Sequence, residues 1–238
     1  MTAVVLASAS PSRRRILAGS GITPHVIVSD VDEAAVEAAH PDADVRALAG
    51  VLAEAKGRAV LDRILTGAAE IPGDSGTAVL IASDSILDLG GRPVGKPHTA
   101  EATRRVWEEM GGTRAHLHTG HCVARLDRGA PVGSPAPDAG PAAAGHGQAG
   151  WGLTGITVET ASTVIRTARP SPAELEAYIA TGEPLEVAGA LTIDGFGGAF
   201  VTGIEGDHHN VIGLSLPVLR RLVTGLGVFW PSIWDARD

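Results

Sequence analysis

The chain has 238 residues, a formal net charge of −8 and a single cysteine, and it is 44% apolar with only 3% aromatics. That length buries one sound core, as one domain or as two joined lobes, and the scarcity of aromatics makes the core aliphatic. The acidic balance argues against a broad basic face for nucleic acid, the lone Cys122 excludes an intrachain disulfide, and no run approaches the roughly 20 apolar residues of a membrane helix.

Val4 to Ala7 reads as a short buried strand, followed by the loop serines Ser8, Ser10 and Ser12. Pro11 suits the first turn of a helix and Ser10 its N-cap, so Arg13, Arg14 and Arg15 lie in that first turn. Backbone N–H groups, hydroxyls and guanidinium donors at a helix start suit a phosphate or a carboxylate, although a solvated arginine run has the same pattern. His25 to Val28 is a second strand and leads into an acidic stretch that includes Glu33. From Asp44 to about Leu65 the apolar spacing is helical, and Lys56 interrupts the row Leu48, Leu52, Val60. Such a lysine either snorkels to water or points into a cleft.

Thr77 to Ala82 is too apolar to alternate, so it is expected to be a central strand that ends at Ser83-Asp84-Ser85. An acid at the carboxyl end of a buried strand is a candidate site in open α/β sheets, and a turn cap otherwise. Gly90-Gly91 marks a hairpin, Gly95-Lys96-Pro97 a constrained loop, and Thr99 the cap of a helix through Met110. Strands are expected at 116–126 and 155–166. Between them, 17 of the 22 residues from Gly129 to Gly150 are Gly, Ala or Pro, which reads as a flexible surface loop. Ser171 to Glu174 forms a capping box, residues 189–206 a Gly-rich strand region, and Ser215 starts a last helix that ends by Gly225. The order of elements predicts an α/β fold with a mixed sheet.

Arg13, Lys56, Lys96, Asp84 and Glu33 thus stand where elements end or patterns break. Three cations and two carboxylates suit a triphosphate with a divalent metal. No Walker motif or dinucleotide fingerprint occurs. The alternating His116 and His118, with His121 nearby, lack the further ligands of a metal site, and Cys122 lacks a partner as a nucleophile.

Three stretches, "LASASPSRRRIL", "ASDSILDLGGRPVGKPHTAEATRRVWEEMGGTRAHLHTG" and "YIATGEPLEVAGALTIDGFGGAFVTGIEGDHHNVIGLSLP", together resemble the Maf family of nucleoside triphosphate pyrophosphatases. The resemblance implies a Maf/ITPase-like mixed β-sheet flanked by helices, two lobes with a central cleft, and hydrolysis of nucleoside triphosphates to the monophosphate and pyrophosphate. It implies a divalent cation, Mg²⁺ or Mn²⁺, held by Glu33 and Asp84. Asp84, Lys56 and Lys96 would be catalytic, and Ser8, Ser10, Ser12, Arg13, Ser85 and Asp194 would contact substrate. Ser12 departs from a common arginine, Ser83 and Ser85 flank the aspartate in place of a small residue and a threonine, and Asp194 departs from the glutamine of pyrimidine-preferring members. The expected organisation is one domain over 1–225 with a tail at 226–238, in the cytoplasm, without a membrane or a stable nucleic-acid partner, a homodimer being left open. The rival readings are a non-catalytic nucleotide-binding regulator of cell division and a phosphatase or phosphodiesterase on another phosphate ester.

Overall fold

The computed structural model describes residues 1–130 and 150–235. Its centre is a seven-stranded mixed sheet in the order β2-β1-β3-β5-β6-β7, with β4 paired to β3. The strands are β1 (Ala3–Leu6), β2 (His25–Val26), β3 (Thr77–Leu89), β4 (Arg92–Val94), β5 (Arg114–Arg128), β6 (Trp151–Thr167) and β7 (Val201–Glu205). β1 runs parallel to β2 and β3, and every other pairing is antiparallel. Around the sheet lie α1 (Pro11–Gly19), α2 (Glu33–Ala38), α3 (Val45–Leu65), α4 (Ala100–Met110), α5 (Pro172–Ala180), α6 (His208–Ile212) and α7 (Leu216–Gly225). The mixed α/β fold is the one expected from the order of elements.

Alternation along β3 explains the layers. Ala78, Leu80 and Ala82 face α3 and pack with Val60, Leu61 and Ile64. Val79 and Ile81 point the other way, to Ile16 and Leu17 of α1 and to Val218, Leu219, Leu222 and Val223 of α7. Each such aliphatic side chain contributes roughly 1.5–3 kcal/mol on full burial. Beyond Ser85 the chain is apolar again. Ile86 joins Leu48 and Leu52 on the α3 side. Leu87 joins Trp107, Met110, Tyr178 and Leu191 on the other side. Residues 83–85 are therefore a polar belt between apolar clusters on both faces.

The helix starts follow the caps expected at Ser10, Thr99 and Ser171, each of which accepts a backbone N–H, and Ser171 with Glu174 closes a full capping box. Asp44 and Ser215, expected only as the starts of helices, also cap theirs. Gly90 and Gly91, at φ +67° and +87°, make the β3–β4 turn, a conformation that needs no Cβ. α3 lies close on the sheet because of two glycines. A Cβ on Gly120 would fall 2.0 Å from the Ala49 carbonyl oxygen, and one on Gly57 would fall 2.7 Å from Cys122 Sγ.

Several expectations are corrected. β3 does not end at Ser83 but continues to Leu89, because β5 pairs with it along its whole length. What ends there is the parallel part of the sheet: β1 pairs only as far as Leu6 with Ile81. The Gly-rich 189–206 region is mostly 3₁₀ turns at Ala188–Ala190 and Phe196–Phe200, and only Val201–Glu205 is strand. Two short helices, α2 and α6, have no signal of their own in the apolar pattern. Past Gly225, Val228 and Ile233 are buried in the α1–α7 cluster, and Asp235 accepts hydrogen bonds from the Thr23 backbone and hydroxyl at 2.9 Å. The Gly129 N–H donates to the Gly150 carbonyl at 2.9 Å, where the β5–β6 hairpin closes. The expected loop between them falls at 131–149, outside the described residues. Among the described residues no helix is long and apolar enough to cross a membrane.

Candidate active site

The polar belt has two different faces. On the α3 face, Asp84 sits three residues past the last β1–β3 pair, where β1 has left the sheet and exposed the middle of β3. Directly across from it on β5 stands Gly120, which lets α3 approach. One helical position before the close contact at Gly57, Lys56 extends its ammonium to Asp84 Oδ1 at 2.5 Å and to Glu33 Oε1 at 2.8 Å. The side chains of Lys56 and Asp84 are 12% and 11% exposed, against 53% for Glu33. The lysine in the apolar row therefore points into a cleft. Glu33 reaches it from the first turn of α2, which Asp32 caps.

On the opposite face Arg13 is held by three neighbours. Its Nε donates to the Gly213 carbonyl at 2.9 Å, Nη1 to Ser8 Oγ at 3.0 Å and Nη2 to Ser85 Oγ at 3.3 Å. Burial pulls the guanidinium below its ordinary pKa, and the charges of Asp84 and Glu33 pull it back up. An arginine has five N–H donors in a planar fork, so these contacts leave one N–H free on each Nη. That remaining pair suits a phosphate oxygen pair. Ser8 is buried and its hydroxyl accepts from both Arg13 and the Ser10 N–H. Ser10 caps α1, and Ser12 accepts from Arg15 Nη2 at 2.9 Å. All three loop serines are therefore engaged within the loop and helix.

At the rim, Arg15 forms an ion pair with Asp194 at 3.1 Å. Its partner lies 179 residues away in the chain. The pair lines a cavity of about 280 Å³ with Ser12, His208, His209 and Ile212. The turn that follows Gly195 is held by Glu183, which accepts from the Phe196 and Gly197 N–H groups at 3.0 Å. Lys96 is exposed, in the loop after β4 that Gly95 and His98 tie to Gly189 and Leu185, and among the described residues no hydrogen bond or ion pair joins it to Asp84, Lys56 or Arg13. A larger cavity of about 390 Å³ lies by Val26, Arg63 and Glu70 and contains none of the predicted site residues.

Cys122, His118 and His121 lie buried in the fold. The Cys122 thiol is buried and its pKa is pushed up to about 12 by that burial. His118 contacts Ser162 at 2.8 Å and lies 3.5 Å from Asp88. His121 is fully buried, and its Nε2 accepts the Ser215 N–H at 2.8 Å. Three neighbours of Arg13 and Ser85 carry no mark in the sequence pattern: Thr119 on β5, and Asn210 and Gly213 of the "DHHNVIG" run, which present backbone carbonyls to Thr119 and Arg13.

Asp84 and Glu33 converge on one cation position, now taken by the Lys56 ammonium. Carboxylate oxygens with phosphate and water suit Mg²⁺ or Mn²⁺, so the residues present fit such an ion. Among the described residues no group of three or more His, Cys, Asp or Glu side chains gathers to hold one.

Comparison with known proteins gives a consistent picture. The family model "Maf-like protein" matches residues 3–226. The "Nucleoside triphosphate pyrophosphatase" of Nocardia farcinica is 46% identical over 97% of this chain and 96% of its own length. That of Mycolicibacterium smegmatis is 44% identical over 99% of both. The solved structure of the Staphylococcus aureus Ham1 protein aligns at a TM-score of 0.40 with 14% identity, over 94% of this chain and 99% of that one.

Proposed function

The chain belongs to the Maf-like family, and we propose that it is a nucleoside triphosphate pyrophosphatase, hydrolysing an acid anhydride to a nucleoside monophosphate and pyrophosphate. The observation that carries this reading is the Lys56–Asp84–Glu33 cluster on one face of β3, with the Arg13 fork on the other.

In this reading the triphosphate lies in the polar belt. The two free N–H groups of Arg13 hold phosphate oxygens, and Lys56 and Lys96 neutralise charge on the leaving pyrophosphate. Asp84 accepts the proton of a water whose oxygen bonds to the α-phosphorus. The α–β P–O bond then breaks, and the pyrophosphate departs with its electron pair. A divalent cation held by Asp84 and Glu33 would add electrostatic stabilisation of phosphate oxygens. Ser8 and Ser85 act on the substrate by orienting Arg13, and Ser10 by fixing the start of α1. Asp194, bound to Arg15 beside the rim cavity, together with Ser12, is the candidate contact for the nucleobase. The enzyme works in the cytoplasm as one domain, and the segment past Gly225 packs on its α1–α7 cluster.

A panel of ribo- and deoxynucleoside triphosphates, assayed with Mg²⁺ or Mn²⁺, tests the proposal. Equimolar monophosphate and pyrophosphate are expected. Release of inorganic phosphate alone would make it a phosphatase, and binding without any product would favour the regulatory reading.

A further inference from the structure

Arg13 is not fixed by its own loop alone. Its Nη2 donates to Ser85 Oγ, which lies 2.9 Å from Thr119 Oγ1, and Thr119 Oγ1 donates to the Asn210 carbonyl at 3.0 Å. The directions in this chain are forced. A carbonyl only accepts, so Thr119 spends its proton on Asn210 and must accept from Ser85. Ser85 then has only its lone pairs for Arg13, whose groups are all donors. Every hydroxyl proton in the relay points away from the guanidinium. Such aligned hydrogen bonds polarise one another.

Asn210 anchors the far end. It is fully buried, and its Nδ2 donates to the Leu117 carbonyl at 3.1 Å and to Thr163 Oγ1 at 3.0 Å. Thr163 donates in turn to the Asp207 carbonyl, and His121 accepts the Ser215 N–H, so β5 and β6 hold the segment 207–215 at both ends. The same segment presents the Gly213 carbonyl that takes Arg13 Nε and, at 3.4 Å, the Ser83 hydroxyl.

We infer that Thr119 and Asn210 are positioning residues that fix the orientation of Arg13 toward substrate phosphate through Ser85 and Gly213, although neither reaches the cleft. The inference rests on the reading of Arg13 as the phosphate fork.

The test is binding of a non-hydrolysable triphosphate with an α,β-methylene bridge, measured by calorimetry alongside thermal melting. Thr119→Val removes the relay proton at nearly constant shape and should weaken binding about tenfold, the scale of a lost buried hydrogen bond. Thr119→Ser, which restores the hydroxyl, should return to within about twofold of the parent. In an Arg13→Ala background Thr119→Val should cost nothing more, because the pair is coupled. A lower melting temperature with unchanged affinity, or a penalty that adds in full to that of Arg13→Ala, would reduce Thr119 to a structural residue. Unaltered affinity in Arg13→Ala alone would sink the phosphate-fork reading itself. Should Thr119→Val fail to fold, Thr163→Val cuts the anchor one strand further out. A smaller, Arg13-dependent loss is then expected, and no loss overturns the inference.

Discussion

The two faces of β3 at residues 83–85 solve opposite problems. On the α3 face, Asp84, Lys56 and Glu33 are all charged, two of them mostly buried, and the cluster opens to solvent through Glu33. On the other face, Ser83, Ser85, Thr119, His121 and Asn210 are uncharged hydrogen-bonding groups tied to backbone and to one another. The charged face can exchange partners, because an ammonium between two carboxylates is an arrangement that phosphate and a cation can replace. The neutral groups that seat Arg13 keep their partners, because Ser85 and Thr119 each have a fixed donor and acceptor and the Ser83 hydroxyl donates to the Gly213 carbonyl. Chemistry that must be remade at each turnover belongs on the first face, and orientation that must persist belongs on the second.

The largest expected effect breaks the charged face. Asp84→Asn is nearly isosteric but cannot take a proton, and should lower kcat about 10²–10⁴-fold with an unchanged circular dichroism spectrum. Activity within threefold of the parent would remove Asp84 from the chemistry. Next, Lys56→Met should lower kcat/KM by about 10²-fold. It should also cost about 1–3 kcal/mol of stability, because it leaves Asp84 buried beside Glu33 without a counter-charge. Lys56 read from the sequence alone is a cation in an apolar stripe whose loss would be harmless to stability. Its two ion pairs reverse that expectation. Adding Asp84→Asn to the Lys56→Met chain should restore the melting temperature but not the activity, and that split separates charge balance from catalysis.

The neutral face should respond to pH instead. Burial, with Arg13 adding to it, pushes His121 down to about 4 from its ordinary 6.5. The unfolded chain then binds the proton first, so the stability is present in full above about pH 6.5 and drains away as pH falls toward 4. At about 1.4 kcal/mol per pKa unit the loss approaches roughly 3 kcal/mol. Denaturant midpoints at pH 7 and 4.5 should show it, and His121→Gln, which keeps an acceptor for the Ser215 N–H, should flatten the dependence. A slope that persists in His121→Gln would assign it to other groups.

The smallest effect lies at the rim, outside both faces. Arg15 and Asp194 are 66% and 26% exposed, and such pairs contribute about 0–1 kcal/mol. Asp194→Gln should therefore leave the melting temperature almost unchanged while raising relative activity on UTP and dTTP, whose carbonyl edges a carboxylate repels. An unchanged ranking of substrates would confine Asp194 to its pairing with Arg15.

What the sequence made legible were features with a local signature. The caps at Ser10, Thr99 and Ser171 follow from side chains that bond three residues ahead. Lys56 was legible because a charge inside an apolar stripe is costly unless it has somewhere to go. The continuation of β3 was not legible, because Ser83-Asp84-Ser85 has the composition of a turn. Only 12 residues of pairing with β5, from Thr77 to Asp88, hold it extended. Thr119, Asn210 and the Arg15–Asp194 pair were hidden for the same reason: their partners lie 34 to 179 residues away in the chain.

Gly120 shows what clearance means in this fold. A methyl group there would overlap the Ala49 backbone, so the chain at Asp84's opposite number has to remain bare. α3 is thus seated on the sheet like a shaft on a bearing, and the seat determines how far the Lys56 ammonium stands from its carboxylates. A Gly120→Ala change would act as a shim. It touches neither substrate nor charge, yet the Ala49 backbone would have to give way to it, and α3 carries both Ala49 and Lys56. The seat of the cluster is therefore held by Gly120 and Gly57, two positions that have no side chain at all.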